Sequence, residues 1–351
     1  MYVIPFILNR YRNQIESVQH GSISLTTGNA INDTIAAVIK NKSLLLYSYT
    51  TEENQQDPST ELLCGRILNS TTIQFLTDSA VADDIDIVWT VIEFSASSNF
   101  NVQHFAGSAT GAAENITISA VDLSHSFALM NFATADNTFQ SDHYGQAKLT
   151  TATNLQLNWA AINSNYYAAQ VIEFDAWDVT VYNQNMLTGS VSSDQGITAV
   201  NLSETMLFAS AYDSGTGAAL TGDQILIYGF NTTSNINSYR RVSGHGLNLN
   251  FFVVETNGTV KTDQDNNETI TAGNFQANWN HTTINWNFSA YMHGSYLGVS
   301  WGNNQTDALI RGEDLAVRLN NASSTQVTQT RGFYGSVVVR NSLQVYDFSN
   351  L

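Results

Sequence analysis

DIDIVWTVIEF, residues 84–94, is the stretch on which the fold prediction rests, because versions of it recur along the chain. AAQVIEF ends at Phe174 and NFFVVET ends at Thr256. The glutamates of the three copies are spaced by 80 residues (173 − 93) and 82 residues (255 − 173). This spacing is too regular for coincidence and longer than a short solenoid repeat. The chain is therefore predicted to consist of tandem modules that each end in the same strand.

The remaining landmarks recur in the same order and set the predicted module boundaries. Module one shows an opening strand in VQHGSISL, a central pair in TIAAVIKNKSLLLYSYT and a hairpin in CGRILNSTTIQFL. We predict an N-terminal arm at 1–14, followed by modules at 15–95, 96–176, 177–257 and 258–351.

The fourth module is the most divergent. GSVVVRN is interpreted as its closing strand, with Arg340 where the other copies carry glutamate. The aromatic segment NWNHTTINWNFSAYMHGSYLGVSWG has no recognised counterpart upstream, and terminal repeats are often atypical.

The composition favours strands over helices. The chain of 351 residues is rich in Asn, Ser and Thr, which compete locally with helical hydrogen bonds, and it contains 15 Tyr, 17 Phe and 6 Trp. Hydrophobic residues make up 43% of the chain, enough for substantial cores. We predict an all-β protein of about four tandem antiparallel β-sandwich modules of roughly 80 residues each.

Charge and cysteine content exclude several classes of function. The formal net charge of −17, from 30 acidic and 13 basic residues, argues against nucleic-acid binding. Cys64 is the only cysteine, so it can form no internal disulfide and is expected to be a small buried residue. The start of the chain does not resemble a signal peptide, and no stretch has the length and apolarity of a membrane span. We expect no membrane association. We expect the protein to be delivered by a route other than export, such as release inside a virus particle.

The closing strand indicates a structural role for its glutamate. The strand face shared with Glu93, Glu173 and Glu255 is apolar in each copy, so it is predicted to face the core. Each glutamate would then sit at the rim of its module as a hydrogen-bond anchor, an interpretation we favour over catalysis. The opposite face is partly apolar, which suggests contact with another module or subunit.

Two further groups of residues are candidate binding sites. Four oxygen-bearing side chains could hold Ca²⁺ but lack the EF-hand pattern, so a solvated loop is favoured: Asp263, Asp265, Asn267 and Glu268. Three tryptophans of module four could form a carbohydrate platform or an interface, against the alternative of core packing: Trp279, Trp286 and Trp301. No phosphate loop, nucleophile elbow or zinc-protease motif occurs, so we predict no catalytic residue, no cofactor and no enzymatic activity.

With a Val-Gln opening, an aliphatic strand pair, a short hairpin and an ending of the VIEF type, each module resembles the H-type lectin domain. The pattern is also similar to tandem repeats of phage virion and tail-associated proteins. The resemblance implies a six-stranded antiparallel β-sandwich that trimerises and binds N-acetylgalactosamine-type sugars at subunit edges. No ligand-contacting residue of that family can be placed on this sequence.

The expected function is that of a non-enzymatic structural component of a virus particle, most simply a tailed phage. A decoration, fibre, collar or tail-associated protein would assemble as a homo-oligomer, with a trimer favoured, alongside other virion proteins. The alternative is a carbohydrate-binding adhesin that recognises host surface glycans, located in the virion, outside the cell or on a cell surface.

Overall fold

A computed structural model gives the fold. It describes residues 14–51, 57–81, 84–137, 145–159, 166–213, 227–239, 246–270, 276–280, 289–293, 301–303, 317–323, 326–331 and 338–347, with backbone only from residue 263 onwards. The predicted arm at 1–14 lies outside these residues except for Gln14, whose carbonyl accepts the Ser95 N–H at 2.6 Å.

The chain is all-β, as predicted, and its strands form small antiparallel sheets. Strand set 1 comprises β1 (Ile15–Leu25), β2 (Ala30–Thr34), β3 (Ser43–Thr51), β4 (Cys64–Asn69), β5 (Thr72–Leu76) and β6 (Ile85–Phe94). One sheet has the order β1-β6-β3 and the other the order β2-β5-β4. A 3-10 turn at Lys40–Lys42 precedes β3, and a helical turn, α1 (Pro58–Glu61), precedes β4.

Strand sets 2 and 3 repeat this order. Set 2 comprises β7 (Asn101–Ser108), β8 (Ala113–Thr117), β9 (Ser126–Ala133), β10 (Gly145–Thr151), β11 (Asn154–Trp159) and β12 (Tyr166–Glu173). Set 3 comprises β13 (Asp178–Met186), β14 (Ser192–Gly196), β15 (Thr205–Asp213), β16 (Ile227–Thr232), β17 (Asn235–Tyr239) and β18 (Leu247–Glu255). Their sheets are β7-β12-β9 with β8-β11-β10, and β13-β18-β15 with β14-β17-β16.

Strand set 4 keeps the order and adds one strand. It comprises β19 (Lys261–Ile270), β20 (Gln276–Asn280), β21 (Ser289–His293), β22 (Trp301–Asn303), β23 (Val317–Ser323), β24 (Gln326–Arg331) and β25 (Val338–Asp347). The sheets are β19-β25-β21, with β22 also paired to β25, and β20-β24-β23. The aromatic segment thus does have upstream counterparts: it supplies β20 and β21, and only β22 is extra. The exact module boundaries stay a prediction.

The register of set 4 corrects the assignment of its closing glutamate. The first residue of the third strand lies opposite the closing carboxylate in each earlier set, as in the pair Ser43 and Glu93. In set 4 the corresponding pair is Ser289 and Asp347. The residue equivalent to Glu93 is therefore Asp347 and not Arg340, which lies opposite Thr269 within β25. All four sets therefore carry a carboxylate at this register position.

The two sheets of set 1 share a hydrophobic core. Residues of the closing strand on the face of Glu93 pack in one cluster with Ile73 and Phe75 of the other sheet: Ile85, Ile87, Trp89 and Val91. Each is at most 5% exposed. The prediction that the glutamate face is the core face is confirmed for this strand.

Consecutive strand sets pack edge to face, and we call each such contact a joint. The first two joints use equivalent strands, whereas the third uses the first strand of set 4 in place of its third strand. The fourth strand of one set lies beside the first sheet of the next: β4 beside β9 and β12, β10 beside β15 and β18, and β16 beside β19 and β25. In set 4, β23 is the counterpart of the fourth strand of the other sets, and it lies beside β3 and β6 of set 1. The four sets therefore close into a ring within one chain.

Candidate functional site

The closing carboxylate of set 1 ties the end of its strand to the 3-10 turn. Glu93 Oε1 accepts the backbone N–H of Ile39, the cap residue of that turn, at 2.7 Å. Its Oε2 accepts the Ser17 hydroxyl at 3.0 Å. Glu93 is 6% exposed, so these two bonds satisfy a carboxylate that water barely reaches.

Set 2 repeats this bond and set 3 lacks it. Glu173 Oε1 accepts the N–H of Asp122, the equivalent cap residue, at 2.7 Å. Glu255 makes no such bond to Asn201, the cap residue of the third turn, among the residues described. Burial, together with the neighbouring Asp178 carboxylate, raises the pKa of Glu255. The three glutamates share a register position but not a hydrogen-bonding role.

Equivalent hydrogen bonds cross the joint between sets 1 and 2 (joint 1–2) and the joint between sets 2 and 3 (joint 2–3). The Gly65 N–H on β4 donates to Asn131 Oδ1 on β9 at 2.9 Å. At the next joint, the Ala147 N–H on β10 donates to Ser210 Oγ on β15 at 3.2 Å, and that hydroxyl donates back to the Ala147 carbonyl at 3.0 Å. Strand pairing makes Ala147 the counterpart of Gly65 and Ser210 the counterpart of Asn131. A small polar side chain thus fixes the same edge strand at both joints.

A second contact at joint 1–2, made of two hydrogen bonds, covers the open edge of β3. Gln170 on β12 donates through Nε2 to the Leu45 carbonyl at 2.9 Å, and its Oε1 accepts the Leu45 N–H at 3.0 Å. Gln170 is 7% exposed and Leu45 is 2% exposed. The side-chain amide therefore replaces the neighbouring strand that an edge strand lacks.

Aromatic side chains fill the space where sets 1, 2 and 3 meet. Phe127 and Phe208 stack with ring centroids 4.7 Å apart, and Trp177 packs edge-on against Phe174 at 5.1 Å. The cluster is completed by rings that belong to the outer faces of the closing strands and to the linkers: Phe94, Phe100 and Phe252. The partly apolar outer faces noted in the sequence are thus covered by other strand sets of the same chain.

The tryptophans and the calcium candidates fall where side chains are not described. Trp279 lies on β20 and Trp301 on β22, whereas Trp286 lies outside the described residues. The four candidate Ca²⁺ ligands, Asp263, Asp265, Asn267 and Glu268, lie on β19. The solvated loop expected there is instead a strand paired with β25, with an irregularity between Asp265 and Glu268. Among the side chains that are described, no three His, Cys, Asp or Glu residues are grouped as a metal site.

Cys64 lies inside joint 1–2. It is 1% exposed and packs with Ala133 and Ala168 of set 2. Burial raises the pKa of its thiol to about 12, although the nearby Arg66 acts in the opposite direction. The residue is therefore a protonated, inert thiol at neutral pH.

The residues that hold the joints were not recognised in the sequence. Gln170 and Asn131 are single polar residues inside strands that are otherwise mostly apolar, and Ser210 interrupts the run TMLFASAY. A polar residue on an apolar strand was the available signal. It does not say which backbone group the side chain will meet.

No protein-family model matches the chain, and no curated protein is significantly similar to it. Within the described residues, no helix has both the length and the apolar character needed to cross a bilayer.

Proposed function

We propose that this protein is a non-enzymatic structural component of a virus particle, of the tailed-phage type, built from four β-sandwich modules. The observation that carries the proposal is the repeated joint, in which Gly65 with Asn131 and Ala147 with Ser210 make equivalent bonds between successive strand sets. Two joints with equivalent bonds, together with a buried core shared by residues of sets 1, 2 and 3, favour a rigid building block. Rigidity suits a decoration, collar, fibre or tail-associated part.

Assembly with further copies is the second part of this proposal. The sequence argument for a homo-oligomer, and for a trimer in particular, was the partly apolar outer face of the closing strand. Ile92 and Phe94 of that face are fully buried within the chain. Oligomerisation must therefore use other surfaces. Leu187, at 70%, is the most exposed large apolar side chain among the described residues.

Two measurements test the proposal. Mass spectrometry of purified virus particles from the source of the gene should detect the protein in stoichiometric amounts, and its absence from all such particles would count against a virion role. Sedimentation at micromolar concentration separates the two parts, because a stable monomer would remove the homo-oligomer while leaving a virion role open.

Binding of host carbohydrate is the second candidate, and one cleft favours it. A cavity of about 190 Å³ at joint 1–2 is lined by Cys64, Arg66, Leu76, Gly107, Ser108, Tyr166 and Tyr167. Tyr166 is 42% exposed, and an exposed aromatic face suits the apolar side of a sugar ring. A glycan array with the intact protein and with Tyr166→Ala tests this function. A signal that the substitution leaves unchanged would place any sugar elsewhere.

A further inference from the structure

A second cleft at joint 1–2, which shares Arg66 with the first, brings two cationic side chains together. Its volume is about 100 Å³, below the roughly 300 Å³ of a typical pocket for a small molecule. It is lined by residues 65–68 and Lys40 from set 1, and by residues 104–106 and 168–170 from set 2. The space therefore fits a chemical group of a few atoms. Lys40 and Arg66 lie on one side of it, and His104 and Gln170 on the other.

Neither cation in this cleft has a carboxylate partner among the described residues. Arg66 donates through Nε and Nη2 to the neutral amide oxygen of Gln74, at 3.0 and 2.6 Å. Lys40 Nζ donates to the Leu68 carbonyl at 3.3 Å. Three of the five guanidinium N–H groups and two of the three ammonium N–H groups remain for another acceptor.

The surroundings of Lys40 disfavour its charged form. Burial and the positive charge of Arg66 both lower the pKa of Lys40. The protein as a whole carries 30 acidic and 13 basic residues, so carboxylates to neutralise the pair are abundant in the chain. Within the part of the chain that the structure describes, no carboxylate is paired with these two cations, so an anion from outside can neutralise them.

The other joints show that this arrangement is not required for packing. The 3-10 turns begin with Lys40, Leu123 and Leu202 in sets 1, 2 and 3. The counterparts of Arg66, by their pairing with the neighbouring strand, are Lys148 and Gly229. Neither of those joints therefore has both cations.

The residues on the opposite wall of the cleft are also less polar at joint 2–3 than at joint 1–2. The register places Val181 at the position of His104 and Phe252 at the position of Gln170. Joint 2–3 therefore carries Leu123, Val181 and Phe252 where joint 1–2 carries lysine, histidine and glutamine.

Joint 2–3 forms without the pair of cations, although it keeps Lys148 at the position of Arg66. At joint 1–2, Gln170 and His104 bond backbone groups, but those bonds do not require the two cations, Lys40 and Arg66, to lie together.

We propose that the cleft between Lys40 and Arg66 binds an oxyanion, either a free inorganic ion such as sulfate or the carboxylate of a small ligand. Charge-assisted hydrogen bonds from the ammonium and guanidinium groups would hold it. The neutral His104 donates from Nε2 to the carbonyls of Lys40 and Ser43, at 2.9 and 3.1 Å, and so positions the turn that carries Lys40. This inference does not depend on the proposed virion role or on sugar binding.

Isothermal titration of the full chain with sodium sulfate, at ionic strength held constant with chloride, tests the proposal. Arg66→Gln and Lys40→Leu should each weaken binding by about tenfold or more, since each removes charged donors. Leucine is what set 2 carries at the position of Lys40, so that substitution is compatible with the fold. Lys148→Gln is the matched control and should bind sulfate like the unmodified protein.

Two further ligands distinguish the sources of the anion. Glucuronate and glucose differ by one carboxylate, so stronger binding of glucuronate than of sulfate would identify a ligand-borne group, and stronger binding of sulfate a free ion. Binding of glucose equal to that of glucuronate, or titrations unaffected by both Arg66→Gln and Lys40→Leu, would overturn the proposal. The same holds if sulfate produces no saturable heat.

Discussion

The side-chain amide of Gln170 makes with Leu45 the two backbone hydrogen bonds that an adjacent strand would otherwise make, at 2.9 and 3.0 Å. Leu45 lies on β3, at the edge of the sheet β1-β6-β3. One residue of set 2 thus satisfies a buried donor and a buried acceptor of set 1, and it joins the two sets.

Replacing Gln170 by leucine should destabilise the protein strongly. The change leaves the N–H and carbonyl of Leu45 buried without partners, which costs about 2 kcal/mol or more in the free energy of unfolding. Urea denaturation should show this loss of stability as a lower midpoint concentration of urea. Gln156→Leu is the control, because that glutamine is half-buried and bonds only side chains, and it should change the free energy by less than about 0.5 kcal/mol. Equal midpoints for the two variants would contradict the assigned role of Gln170.

The closing glutamates should differ in their contribution to stability. Glu93→Ala removes the acceptor of the Ile39 N–H and the Ser17 hydroxyl and should lower the free energy of unfolding by about 2 kcal/mol. Glu255→Ala removes a carboxylate that makes no equivalent bond and lies near Asp178, so its effect should stay within about 0.5 kcal/mol. Chemical denaturation of both variants provides the comparison. A larger loss for Glu255→Ala than for Glu93→Ala would refute this reading of the geometry.

Cys64 should report on the opening of joint 1–2. Its thiol is buried with a pKa of about 12, so an aromatic disulfide reagent at pH 8 should label the native protein very slowly. Gln170→Leu should speed the labelling by at least about tenfold, because the variant loosens the same joint. Gln156→Leu again serves as the control. Rapid labelling of the unmodified protein would show that the joint is open in solution.

Acid should weaken the protein through His104. Burial lowers the pKa of His104 to about 4, whereas an unfolded histidine has a pKa of about 6.5. Between these values the unfolded chain binds a proton that the folded chain does not, so stability is complete above pH 6.5 and is lost as the pH falls towards 4. The loss should approach about 3 kcal/mol.

The variant His104→Val isolates this contribution from the other histidines. Valine occupies the equivalent position in set 3, where residue 181 pairs with Phe252. The variant should be less stable at pH 7, because two hydrogen bonds are lost, but its stability should fall less between pH 6.5 and 4. Parallel pH profiles for the two proteins would exclude His104 as the source.

Much of the fold could be read from the sequence because a strand alternates its faces with a period of two. The recurrence of VIEF, which becomes VVET in set 3, predicted the closing strands of sets 1 to 3, and the apolar face of Glu93 identified the core. The fourth copy was misplaced because its spacing is longer, 92 residues from Glu255 to Asp347 (347 − 255). LQVYDF, residues 343–348, resembles AQVIEF, but the extra strand β22 displaces it from the expected interval.

The joints could not be predicted in the same way. A module pattern lists which residues face outwards but does not say which face of the next module they meet. Gln170 and Phe252 occupy one register position, yet one bonds to a backbone and the other packs against Phe127. The choice between those two solutions depends on the partner surface, which lies far away in the sequence. The cationic cleft also depends on which residues of sets 1 and 2 meet at joint 1–2, and so the sequence did not predict it.

We call the contact of β23 with β3 and β6 the seam of the ring. Linkers join set 1 to set 2, set 2 to set 3 and set 3 to set 4, at residues 95–100, 174–177 and 256–260, whereas β23 meets β3 and β6 without a linker of its own. Opening this seam would break no sheet and would expose two different, complementary surfaces on one molecule. A head-to-tail contact of this kind can in principle also form between molecules, in open chains or larger rings, but within one molecule its effective concentration is higher. The contact that makes one molecule self-contained is therefore also the contact through which many could polymerise.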